Sequence, residues 1–88
     1  MNYFTYMLEC TGGGYYTGWT DDLDKRIASH SAGTGAKYTR SHPPVALVAF
    51  WQYPSRSEAM KEEWRIKQLS RKEKQLLVSA CNQRRPLS

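Results

Sequence analysis

The chain has 88 residues, 40% of them hydrophobic and 12% aromatic, which is enough for one small core and too little for a second domain. Thirteen Lys and Arg against eight Asp and Glu give a formal charge of +5; with this aromatic content the composition excludes a disordered basic chain and favours an anionic partner. The longest apolar run, Val45 to Trp51, falls far short of the ~20 residues a helix needs to span a bilayer, and no basic flank followed by an apolar stretch opens the chain. A cytoplasmic protein with no membrane partner is expected.

From Asn2 to Cys10, alternation puts Phe4, Tyr6, Leu8 and Cys10 on one face and Tyr3, Thr5, Met7 and Glu9 on the other, the pattern of a strand. Gly12-Gly13-Gly14 then reads as a turn and Tyr15 to Thr20 as the return strand of a hairpin, since no helix opens after the glycines as a phosphate-binding loop would require. A three-residue turn places Tyr6 and Tyr16 on the same face, whereas a two-residue turn at Gly12-Gly13 splits them, and the sequence permits either.

Asp21 or Asp22 caps a helix to about Ser31, closed by Gly33 and Gly35. Leu23, Ile27 and His30 share its inward stripe, with Arg26 at the edge one turn before His30. Gly33 to Pro44 reads as a long loop mixing basic and aromatic residues, and Val45 to Tyr53 as a strand covered on both faces. Ser55 with Glu58 and Ser70 with Glu73 form capping boxes for helices to about Leu69 and Cys81. The order strand, strand, helix, strand, helix, helix predicts an α+β fold, a three-stranded sheet packed by three helices, in one domain over residues 1–82 with a basic tail over 83–88.

Charge is placed unevenly. Residues 1–60 carry five basic and five acidic side chains, whereas residues 61–88 carry eight and three, so the whole net charge lies in the last third. Such a segment suits nucleic acid or a solvated helix face. Cys10 and Cys81 lie far apart and match no zinc spacing, nor do His30 and His42 complete one; reduced thiols and no disulfide-linked partner are expected.

Three features carry chemistry. On the helix after Ser55 an apolar arc of Ala59, Met60, Trp64, Ile66 and Leu69 has Glu63 near its middle, and a carboxylate aimed at a sheet must be neutral, hydrogen-bonded, paired with a cation such as Arg26 or Lys67, or bound to a metal. Glu62 lies nearer the edge of that arc. Arg26 beside His30 offers a charged fork suited to phosphate oxygens. Tyr3, Tyr6, Tyr15 and Tyr16 crowd the hairpin, where aromatic residues are usually core.

Tyr6 on a first strand, Tyr16-Thr17-Gly18 on the second, Arg26 and His30 on the next helix and a Glu on a later one resemble the GIY-YIG nuclease superfamily. Gly33 to Arg40, Pro44-Val45, and the blocks Ser57-Glu58-Ala59 and Ile66 to Arg71 further resemble its small standalone bacterial branch, the UPF0213-type proteins, over about residues 3–78. The motif's Gly-Ile is replaced by Phe4-Thr5 and its second Ile by Thr17.

The resemblance implies a metal-dependent endonuclease hydrolysing DNA phosphodiester bonds, with DNA favoured over RNA as the partner. It would select structure rather than sequence, as repair or recombination requires, because the chain has no room for an added recognition domain. It implies Tyr6, Tyr16, Arg26 and His30 as catalytic residues and Glu63 as ligand to one Mg2+ or Mn2+, with Tyr16 as base and Tyr6 orienting the water. Lys37, Tyr38, Arg40, Lys67 and Arg71 are expected to bind nucleic acid. The competing expectation is a module that grips the phosphate backbone through its basic C-terminal helices without cutting.

Overall fold

Side-chain alternation along β1 (Tyr3–Cys10) divides the molecule into two cores, as the computed structural model, which describes residues 2–87, makes plain. Tyr6, Leu8 and Cys10 pack with Ile27 and Leu47 on one face of the sheet, and Met7 packs with Ala46, Val48, Ala49 and Ile66 on the other. β1 is central, with β2 (Tyr15–Thr20) antiparallel on one side and β3 (Pro44–Tyr53) antiparallel on the other. The first core is covered by α1 (Leu23–Ser31) with α2 (Lys37–Ser41) beside it, and the second by α3 (Arg56–Lys67) and α4 (Arg71–Cys81).

The hairpin turn is Thr11-Gly12-Gly13, closed by Gly13 N–H donating to the Cys10 carbonyl, and both glycines adopt positive φ there. It is a three-residue turn set one position earlier than Gly12–Gly14. The resulting register, Tyr6 opposite Gly18 and Leu8 opposite Tyr16, keeps Tyr6 and Tyr16 on one face. The register shift between Met7 and Leu8, which leaves Val48 as the extra residue of β3, lets Val48 and Ala49, neighbours in sequence, both enter the second core, which explains an apolar run without alternation.

Four readings of the sequence are corrected. The sheet has four strands in the order β2-β1-β3-β4, because Arg85–Pro86 form β4 against β3, with Leu87 N–H donating to the Val45 carbonyl. β3 is a central strand, so its outer edge needs partners that the sequence reading had not supplied. Residues 37–41, read as loop, form α2, whose first turn is set by Thr39 bonding back to Ala36. The Ser55 capping box is half formed: the Ser55 hydroxyl accepts from Glu58 N–H, but Glu58 bonds the hydroxyl rather than the Ser55 backbone, whereas the Ser70–Glu73 box is complete.

The face that α3 turns to the sheet also differs from the arc its hydrophobicity predicts. Ala59 and Ile66 are buried with Glu62 and Glu63 half-buried beside them, while Met60 and Trp64 are exposed, Trp64 at 67%. At ~100° per residue Met60 and Trp64 lie ~100–140° from Ala59, whereas Glu63 and Ile66 lie within ~40° of it, so the narrow contact with the sheet leaves the larger apolar pair outside. The two free cysteines lie in different cores, Cys10 in the first and Cys81 at the margin of the second.

Both threonines that replace motif residues are buried, with opposite consequences. Thr5 donates to the Ala59 carbonyl at 2.7 Å and ties β1 to α3, whereas Thr17, 3% exposed, carries the one buried side-chain polar atom without a hydrogen-bond partner among the described residues. An orphaned buried hydroxyl costs about 1–3 kcal/mol. Thr17→Val keeps the shape and removes the hydroxyl, so it is expected to stabilise the protein by about 1 kcal/mol, read as a rise in melting temperature of roughly 4–8 °C; an unchanged or lower midpoint would contradict this account.

Candidate active site

Tyr6 crosses the edge strand over Gly18, where a Cβ would stand 2.6 Å from the phenol oxygen, so the glycine of Tyr16-Thr17-Gly18 is required by close approach. The phenol thereby reaches α1. Its oxygen is 2.7 Å from His30 Nε2, and His30 Nδ1 is 2.8 Å from Thr39 Oγ1. Thr39 Oγ1 also lies 3.0 Å from the Ala36 carbonyl and accepts from Ala36 N–H at 3.2 Å.

This chain of contacts assigns the hydrogens. The one Thr39 hydroxyl proton satisfies the Ala36 carbonyl, so His30 Nδ1–H donates to Thr39, and Nε2 carries the lone pair that accepts from Tyr6. The opposite tautomer would set the Thr39 and Ala36 oxygens against each other at 3.0 Å with no proton between them, and would leave the buried Tyr6 hydroxyl proton without the acceptor that Nε2 provides. Burial, and secondarily the Arg26 charge, pushes the His30 pKa down to about 4, which keeps the ring a neutral acceptor.

Tyr6 is 0% exposed and burial pushes its pKa up to about 12, the nearby Arg26 opposing that rise. Tyr16 is half-buried, its ring centroid 4.9 Å from His30 and 6.3 Å from Tyr6. Arg26 stands beside both phenols, which strengthen its charge. Four of the predicted residues, Tyr6, Tyr16, Arg26 and His30, therefore converge from β1, β2 and α1. Glu63 is not in contact with these four: it lies on α3 with its carboxylate 3.3 Å from Lys67, and bears on Tyr6 only as the smallest of the charges around it.

Glu63 lines an open groove of about 680 Å³ with Arg56, Ser57, Met60, Lys61 and Trp64. Among the described residues no three His, Cys, Asp or Glu side chains gather as a metal cage. A lone, partly exposed carboxylate fits Mg2+ or Mn2+, which keep waters and take phosphate oxygens from a substrate, and does not fit a closed protein-only site.

Of the residues expected to bind nucleic acid, Lys37, Tyr38 and Arg40 lie on α2, while Lys67 and Arg71 lie across the sheet, and all five are exposed. Tyr38 stacks between Tyr16 and His42, at centroid distances of 6.4 and 4.6 Å, and packs against Gly14; Arg71 lies over Gly13. Lys67 is engaged by Glu63. The sequence reading missed Thr39, whose signal was its place within a basic aromatic loop, and Gly35, which leaves room for the His30 ring.

Two outcomes test the relay. The unfolded chain takes up a proton at His30 below pH 6.5 that the folded chain refuses until about pH 4, so stability falls as pH drops through that window; urea midpoints should decline there in the wild type and less in His30→Gln. Thr39→Val leaves His30 Nδ1–H unpaired and is expected to cost about 1–3 kcal/mol. Nitrogen NMR shifts should report loss of the single His30 tautomer in that variant, and an unchanged tautomer would refute the assignment.

The chain matches the model of the GIY-YIG catalytic domain over residues 2–76. It is 53% identical over 79 residues to the UPF0213 protein BH0048 of Halalkalibacterium halodurans, covering 90% of this chain and 84% of that protein. It is 54% identical over 72 residues to a UPF0213 protein of Halobacterium salinarum, covering 82% and 94%. The solution NMR structure of BH0048 superposes with a TM-score of 0.61 at 51% identity, covering 94% of this chain and 88% of that one. The solution NMR structure of the E. faecalis protein EF2693 superposes with a TM-score of 0.59 at 36% identity, covering 90% and 85%. With the two motif tyrosines, the motif glycine and the helix arginine in one cluster, the chain belongs to the GIY-YIG family of nuclease domains, in its UPF0213 branch.

Proposed function

We propose that the protein is an endonuclease hydrolysing DNA phosphodiester bonds, selective for structure rather than sequence. The observation that carries this reading is the meeting of Arg26 with Tyr6, Tyr16 and neutral His30, which sets a permanent cation against two phenols, one buried and one half-buried, on the α1 face of the sheet. A phosphodiester needs a donor fork for its non-bridging oxygens and a proton acceptor for the attacking water.

Arg26 binds the phosphate and stabilises the charge that grows as the water oxygen bonds to phosphorus and the opposite P–O bond breaks. Tyr16, the phenol with access to solvent and with Arg26 beside it, is the group placed to take the water's proton. Tyr6 is spent on His30, so it fixes the position of Arg26 and Tyr16 rather than orienting bulk water. Glu63 would hold Mg2+ or Mn2+ together with substrate oxygens, and that ion, when bound, supplies charge neutralisation at the leaving oxygen. A small domain with basic groups on both faces of its sheet suits shape and backbone recognition, as branched intermediates of repair or recombination present.

The test is cleavage of supercoiled, linear, single-stranded and branched DNA with Mg2+ or Mn2+. Arg26→Ala and Glu63→Gln are expected to cut at least ~100-fold more slowly. Glu63→Gln should bind DNA within about threefold of the wild type, because the ion serves the chemical step. Salt-sensitive binding with no cutting by the wild type would leave the non-catalytic module as the function.

A further inference from the structure

A cleft of about 650 Å³ opens beside the catalytic cluster, at the end of the hairpin away from the glycine turn, lined by Tyr3, Trp19, Thr20, Asp21, Arg26 and Arg56. Arg26 belongs both to this wall and to the tyrosine cluster, so an occupant of the cleft lies next to the phosphate that Arg26 holds. Arg56, the first residue of α3, places its guanidinium carbon 5.9 Å from the Trp19 ring centroid, which steadies a second phosphate-binding fork at the cleft.

The lining is mixed in a way that selects its occupant. Two arginines suit phosphate oxygens, and the half-buried Trp19 and Tyr3 rings offer flat apolar surface. Asp21 repels an anion yet accepts from the exocyclic amine of a nucleobase. An inorganic anion would leave the aromatic wall unused, and an apolar molecule would leave the arginines unused. A nucleotide uses all three. The volume lies within the roughly 300–1,000 Å³ usual for a ligand site.

We propose that this cleft is the subsite for an unpaired nucleotide flanking the scissile phosphate, with Arg56 on the neighbouring phosphate and Trp19 against the base. A base inside a duplex is stacked on both faces and cannot meet Trp19, so the substrate carries single-stranded character beside the cut. The inference rests on the nuclease reading of the adjoining cluster and adds to it a substrate class.

The experiment measures binding of fluorescent DNA to the full chain in EDTA, with a forked duplex bearing an unpaired strand against a blunt duplex of equal length. The wild type should prefer the fork, and Trp19→Ala should weaken fork binding by roughly 5- to 100-fold while leaving the duplex nearly unchanged. Trp19→Phe, which keeps an aromatic face, should retain most of the preference and covers the chance that the alanine variant folds poorly. Arg56→Ala should lower the salt slope of fork binding by about one. Equal binding of fork and duplex by the wild type, or equal losses for both in Trp19→Ala with its Phe counterpart no better, would overturn the subsite. Cleavage separates the two claims: a wild type that cuts forks with a KM indifferent to Trp19 and Arg56 refutes the subsite alone. A Trp19-dependent fork preference without cutting refutes the nuclease reading alone.

Discussion

The hydrogen bond from Tyr6 to His30 is the contact on which the site is built. It joins the central strand to the first helix across an edge strand, and it can form only because position 18 has no side chain in its path. Behind it, Thr39 holds the far nitrogen of the ring, so α2 and the preceding loop are fixed by the group that fixes α1. The hydrogens run in one direction, from phenol to imidazole to hydroxyl to carbonyl. A network satisfied at every member holds one geometry; a gap at any member would leave a buried donor without a partner.

That constraint accounts for the different surroundings of the two tyrosines. The phenol that completes the buried network is withdrawn from solvent and held protonated by its surroundings, with its pKa pushed up to about 12. The other phenol, on the same face because the turn has three residues, remains partly open beside the same guanidinium. Two identical side chains thus acquire different chemistry from their environments. The placement of both phenols on one face is set by strand parity, which makes the turn length as much a part of the site as the side chains.

The sequence revealed what depends on local rules. Alternation located β1 and β2, and cap residues located the starts of α1, α3 and α4 at Asp22, Ser55 and Ser70. The turn length stayed open between two parities because three consecutive glycines permit more than one closure. The fourth strand was illegible because Arg85–Pro86 has no strand pattern of its own; it exists to pair the outer edge of β3. Residues 37–41 read as loop because α2 is one turn long and begins at an alanine, with Thr39 doing the capping from inside the helix. Glu63 was legible as an oddity on its helix, yet its neighbours were misread: hydrophobicity predicted that Met60 and Trp64 face the sheet, whereas Ala59 and Ile66 suffice for the space available. Trp19 and Arg56 gave no signal at all, since their significance lies in meeting across the cleft from distant parts of the chain.

The charges, too, are placed by the fold in ways their sum does not show. The last third carries the whole formal excess, yet part of it is engaged at once: Arg84 pairs with Glu9 at 2.8 Å, Lys67 with Glu63, and Arg65 with Glu62. The guanidiniums that border the tyrosine cluster and its cleft, Arg26 and Arg56, come from the electroneutral first sixty residues. Net charge therefore describes the field around the whole chain, whereas the cations beside the aromatic cluster are few and stand against rings and phenols. A segment can dominate the charge of a protein and still serve chiefly to hold its sheet together, as the pairing of Arg84 and the strand at Arg85 do here.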